Sequence, residues 1–162
     1  MTDCYQEQQQ ARRKALRLLE HMDRTERGLT DRLKQAGFSE ETAAEAVSYM
    51  KEYGYVDDER YAFNYIMYRI HSKSRQKIFQ ELQQKGVDRQ TIQTVWEEAE
   101  ELESPDEHAL LLSLIEKKYA SGTELDEREL RRLLGYFARR GFRQSEITSA
   151  LEELSITLCK NI

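Results

Sequence analysis

Three kinds of side chain in this 162-residue chain are spaced so that they could do chemistry. Asp57, Asp58 and Glu59 are consecutive carboxylates, the residue type of metal sites and acid–base pairs. Tyr61, Tyr65 and Tyr68 follow at helical spacing, with Tyr53 and Tyr55 just before them, and aromatic rings beside cations can stack on nucleic-acid bases. Two cationic clusters, Arg69/Lys73/Arg75/Lys77 and Arg128/Arg131/Arg132/Arg139/Arg140, could hold phosphate or carboxylate.

Each group also has a plainer use. Consecutive helical residues point about 100° apart, so adjacent acids converge poorly on one ion. Ahead of an apolar stripe they instead satisfy the free N–H groups of a helix start and oppose its dipole. The tyrosines can pack against Trp96 and neighbouring helices, with Tyr68 the expected exception. The cations can form solvated faces. Gly135, inside the arginine stripe, costs a helix about 1 kcal/mol relative to Ala, and its bare backbone would let a partner approach closely.

Other chemistry has no carrier. The chain contains no P-loop, no G-x-G-x-x-G and no G-x-S-x-G. His21, His71 and His108 are scattered, and Cys4 and Cys159 lie near opposite ends without metal-like spacing. No catalytic residue, no cofactor and no metal is expected, and the protein is not expected to be an enzyme.

The elements that must position these residues are helices. Hydrophobic residues make up 39% and charged residues 34%, with one proline and seven glycines, which excludes an all-β or disordered chain. The longest apolar run is Ala109–Leu112, so no membrane span is expected, and no signal segment is read at the N-terminus. A reducing, cytoplasmic setting and a monomer follow as expectations. Apolar periodicity predicts nine helices, at 8–22, 26–36, 40–53, 58–71, 74–85, 89–103, 106–120, 126–140 and 144–158, and no sheet. Thr25 and Ser74 are candidate helix N-caps.

Three stretches align on Gly37, Gly86 and Gly141. Leu29, Ile78 and Leu133 stand eight residues before these glycines, and Leu33, Leu82 and Phe137 four before. Phe38, Val87 and Phe142 stand one after, Ala43, Ile92 and Ile147 six after, and Val47, Trp96 and Leu151 ten after. This internal repeat divides the chain into a flexible 1–10 and three-helix units at 11–56, 57–104 and 105–158. The expected architecture is all-α: three tandem three-helix repeats forming an elongated, curved, solenoid-like body. Trp96, Ile78, Leu82 and Phe142 are expected in the core.

The formal net charge of −5 on average disfavours a nucleic-acid partner, but the charge comes in blocks. Residues 60–90 carry seven bases and two acids, and 128–143 carry six arginines and one acid. Residues 39–59 and 97–107 carry seven acids each, with one and no bases. The turn at each repeat glycine resembles helix-turn-helix geometry, but the helices after those turns are acidic and would meet phosphates with like charge.

GYVDDERYA at 54–62, SRQKIFQELQQKGV at 74–87 and RRGFRQSEI at 139–147 closely resemble the RecX family of recombinase regulators. The resemblance covers roughly residues 11–156. It implies a non-enzymatic protein of DNA repair, homologous recombination and the SOS response. Such a protein binds the RecA filament along its groove and restrains ATP hydrolysis, strand exchange and coprotease action, with weak single- or double-stranded DNA contact. The first unit departs from the family, since Met22–Thr25 and Gly28-Leu29 replace its usual Arg-x-Arg-Ser and Glu-Leu. The residues expected at the filament or DNA are Arg69, Lys73, Arg75, Lys77, Arg128, Arg131, Arg132, Arg139 and Arg140. Their two clusters lie in different units, so an extended partner is expected to be needed to meet both. The alternative from another class is a helical-repeat scaffold that joins proteins and never touches nucleoprotein.

Overall fold

The structure, a computed structural model, describes residues 2–159. More than two thirds of these are helical: α1 (Thr2–His21), α2 (Glu26–Gln35), α3 (Glu40–Glu52), α4 (Asp58–Arg69), α5 (Arg75–Gln84), α6 (Arg89–Glu103), α7 (Glu107–Glu116), α8 (Glu127–Arg139) and α9 (Gln144–Glu153). The fold is all-α and built of repeated helix triplets.

The repeat has a single physical origin. Gly37, Gly86 and Gly141 have φ of 100°, 94° and 93°, the left-handed conformation that ends a helix and that glycine adopts without a Cβ clash. In each copy the residue after the glycine sends its N–H back to the carbonyl five residues earlier. These bonds are Phe38 to Leu33 (3.2 Å), Val87 to Leu82 (3.0 Å) and Phe142 to Phe137 (3.1 Å). The turn thus joins two of the aligned apolar positions directly. Ile78, Leu82, Trp96 and Phe142 are all at most 4% exposed. Phe38 is the one aligned side chain only half-buried.

The chain forms two compact units, 1–66 with 81–99 and 67–80 with 100–162. The first holds α1–α3, on a core that pairs Ala11 and Ala15 of α1 with Ala43, Ala46 and Met50 of α3 and Leu29 and Leu33 of α2. Small residues let α1 and α3 approach closely. Arg12 spans them, pairing with Glu45 and lying 3.9 Å from the Tyr49 ring centroid. The second unit holds α7–α9 around Phe137, Leu111, Ile115, Leu133 and Ile147.

Three expectations are corrected. Helix α1 starts at Thr2 rather than at residue 8, because residues 2–10 are polar but contain no glycine or proline to break a helix. Met1, also within the stretch read as flexible, lies outside the described residues. Helix α9 stops at Glu153 rather than 158. Ser155 takes the left-handed conformation (φ 56°) that glycine takes in the repeats, and the Ile156 N–H donates to the Leu151 carbonyl at 2.9 Å. Third, a minimal sheet exists. The chain turns back after Ser155, and β2 (Thr157–Leu158) pairs in parallel with β1 (Glu124–Leu125). Two-residue strands are too short to show alternation in a sequence.

Candidate functional site

Ser74 begins the site in the second unit. Its side chain is 2% exposed, accepts from the Lys77 N–H at 3.2 Å as the N-cap of α5, and donates to the Gly141 carbonyl at 2.9 Å. The Ser74 N–H donates to the Arg140 carbonyl at 3.2 Å. The Arg75 N–H, first in α5, donates to the carboxylate of Glu107, first residue of α7.

The first unit contains the same construction. Thr25, 3% exposed, accepts from the Gly28 N–H at 3.0 Å and donates to the Lys85 carbonyl at 2.6 Å. The Glu26 N–H, first in α2, donates to Asp58, first in α4, at 2.9 Å. A buried hydroxyl cap and a first-turn carboxylate therefore stitch the second helix of one triplet to the next triplet, twice. Asp57 caps α4 locally, accepting from the Glu59 and Arg60 N–H groups at 3.0 and 3.1 Å. Asp57 and Asp58 are thus used on backbone amides. Burial pushes the Asp58 carboxyl above its ordinary value; the Glu26 N–H opposes this and the Glu26 charge adds to it. Among the described residues no group of three His, Cys, Asp or Glu side chains is placed to hold a metal ion.

The cations divide by environment. Arg69, Lys73, Arg75 and Lys77 are half-buried, with the guanidinium of Arg69 5.4 Å from the Tyr68 ring centroid and that of Arg75 5.1 Å from Phe79. Arg128, Arg131, Arg132 and Arg139 are exposed along α8. Arg140 is tied down: its Nη1 donates to the Ser72 carbonyl at 3.2 Å and its guanidinium lies 4.6 Å from the Tyr136 ring centroid. Both clusters lie in the second compact unit, and the first cluster adjoins the C-terminal end of the second. The Ser74–Arg140 and Ser74–Gly141 bonds bring the start of α5 against the end of α8, because the Ser74 N–H and hydroxyl each donate to a carbonyl at the glycine turn.

The space beside Gly135 is taken by a side chain of the same helix. Arg139 folds back along α8, and its Nη1 lies 3.3 Å from where a Cβ on Gly135 would stand. The bare spot serves the chain's own arginine. Lys118, which the sequence reading passed over, sits with its Nζ 3.3 Å from the Tyr136 ring centroid. Its only sequence signal is the Lys117-Lys118-Tyr119 run after α7. Of the tyrosines, Tyr65 is buried and Tyr61 half-buried, while Tyr68 is 85% exposed. Tyr53 and Tyr55, expected to pack, are exposed instead. Both cysteines are free thiols on the surface. No helix among the described residues is long and apolar enough to cross a membrane.

Comparison with known proteins agrees with this architecture. Models of the first, second and third three-helix domains of RecX match residues 11–58, 57–95 and 106–151. A regulatory protein RecX of Caldanaerobacter subterraneus subsp. tengcongensis is 38% identical over 148 residues, 91% of this chain and 72% of that protein. A regulatory protein RecX of Clostridium perfringens is 38% identical over 105 residues, 65% of this chain and 48% of that protein. The crystal structure of RecX from Lactobacillus salivarius shares the fold, with a TM-score of 0.66 at 20% identity, covering 93% of this chain and 97% of that one. Three consecutive domain matches, in order and over most of its length, place this chain in the RecX family of regulatory proteins.

Proposed function

We propose that this protein binds the filament of a RecA-type recombinase and restrains its ATP hydrolysis, strand exchange and coprotease action, without enzymatic activity of its own. It does so in the cytoplasm, as a monomer built of three-helix units at 11–56, 57–104 and 105–158. The observation that carries the reading, beside the family itself, is the distribution of charge. The first compact unit has 17 acidic and 12 basic residues, whereas the second has 13 of each. Residues 67–80 contribute four cations and no acid to the second unit. There they meet the end of an α8 whose Arg128, Arg131, Arg132 and Arg139 stand in solvent. Exposed arginines held on a rigid helix suit bidentate contact with the carboxylates or phosphates of a nucleoprotein. The acid excess of the first unit limits binding to bare DNA.

The test is RecA ATP hydrolysis on single-stranded DNA, with and without the protein. Wild type is expected to inhibit, less so as salt rises, because exposed charges are screened beyond about 8–10 Å. Arg131→Glu/Arg132→Glu/Arg139→Glu is expected to lose inhibition while keeping its circular dichroism spectrum. Full inhibition by that variant removes the α8 arginines from the mechanism.

A further inference from the structure

We propose that the cleft between the end of α7 and the exposed face of α8 is a binding site for a free oligophosphate, such as the triphosphate of a nucleotide. The cleft encloses about 400 Å³, and Lys118, Arg131, Arg132 and Arg139 line it together with Gly135 and Tyr136. No carboxylate is among the described lining residues. Four cations around one concavity, with no carboxylate in its lining, concentrate positive charge that suits an anionic ligand.

The spacing indicates what size of anion fits. Arg131 and Arg139 are eight residues apart on one helix, about 12 Å along its axis. A chain of several phosphates can meet Arg131, Arg132, Arg139 and Lys118 together, and so engages more of this lining than a single phosphate does. Lys118 reaches the same concavity from a different element, over the Tyr136 ring. Gly135 lets the Arg139 side chain lie along the cleft wall, its Nη1 3.3 Å from where a Cβ would stand.

The charges around the cleft favour a compact ligand over a polymer. Glu127 and Glu129 are exposed at the start of α8, and Glu127 pairs with Arg131 at 3.9 Å. Glu116 and Glu124 are exposed at the ends of the segment between α7 and α8. These acids interrupt the positive potential on the α8 approach, where a nucleic-acid strand needs a continued track of cations. The inference goes beyond filament binding and needs no filament to test.

The experiment titrates the full chain, alone, with inorganic tripolyphosphate, ATP, adenosine and a short oligothymidylate, by calorimetry and by amide chemical shifts. Saturable binding of tripolyphosphate and ATP is expected, with shifts centred on Gly135 and none with adenosine. Arg132→Gln/Arg139→Gln is expected to weaken binding about tenfold or more. The charge-matched Arg13→Gln/Arg17→Gln on α1 is expected to leave it unchanged. Three results overturn the inference: no saturation with tripolyphosphate, equal weakening by both double variants, or an oligothymidylate that binds the cleft while tripolyphosphate fails to displace it.

Discussion

The buried hydroxyl of Ser74 donates to the Gly141 carbonyl at 2.9 Å, and this one bond joins the start of α5 to the glycine turn that ends α8. Thr25 does the same for the Lys85 carbonyl, one residue before Gly86. A hydroxyl that both caps its own helix and holds the end of another serves two backbone groups from one buried side chain. Ser74→Ala loses the cap and leaves the part-buried Gly141 carbonyl short of a partner, for a loss of about 2 kcal/mol in urea unfolding. Ser39→Ala removes a cap whose hydroxyl bonds only the neighbouring Thr42, and should cost about half that. Equal losses would mean that the Gly141 bond contributes nothing.

Gly141 and Gly37 separate conformation from contact. Both have φ near 100°, so alanine at either is strained by about 1–2 kcal/mol. At Gly37 an added Cβ meets nothing within 4 Å. At Gly141 it strikes the Ser74 hydroxyl and comes within 2.5 Å of the Lys77 Cβ. Gly141→Ala is therefore expected to lower the urea midpoint clearly more than Gly37→Ala. Similar midpoints would show that the Ser74 contact relaxes freely.

How far the fold could be read from residues follows from the same contrast. Glycines that need a positive φ announce their turns, so the repeat and most helix ends were readable. Ser155 adopts that conformation without being glycine, so the end of α9 and the β1–β2 pairing were not. The cationic clusters were visible as types and spacings. The junction between Ser74 and the end of α8 was not, because its acceptors are the backbone carbonyls of Arg140 and Gly141, which every residue has. Lys118 entered the α8 cleft by tertiary placement alone.

Asp58 gives stability a pH dependence of known sign. Its raised carboxyl value means that the folded state keeps a proton over a window in which the unfolded chain has released it. Stability from this group therefore falls as pH rises through that window, from the ordinary carboxylate value up to the raised one. Asp58→Asn keeps an oxygen for the Glu26 N–H and carries no charge. The variant should be at least as stable as wild type at neutral pH, with a flatter stability profile on the acid side. A loss at neutral pH with an unchanged profile would assign the stabilising role to the carboxylate charge.

Gly135 offers a gain. Alanine there adds up to about 1 kcal/mol of helix propensity, and the displaced Arg139 side chain is exposed and free to rotate. Gly135→Ala should raise the melting temperature. A fall would show that the seat of Arg139 on Gly135 is itself stabilising.

Arg140 and Arg131 stand in one arginine-rich run but are expected to respond differently to charge reversal. Arg131 is 81% exposed, and its 3.9 Å pair with Glu127 is worth little in solvent. Arg140 is half-buried, bonded to the Ser72 carbonyl and placed over Tyr136. Arg140→Glu loses a charged hydrogen bond and a cation–π contact, together about 2 kcal/mol, and puts a carboxylate beside a carbonyl. Its melting temperature should drop, whereas that of Arg131→Glu should not. At a temperature where both variants are fully folded, Arg140→Glu should still inhibit RecA ATP hydrolysis and Arg131→Glu should inhibit less. A folded Arg140→Glu protein without inhibition would make Arg140 a direct contact of the filament. Its bond to Ser72 would then position that contact rather than hold the fold.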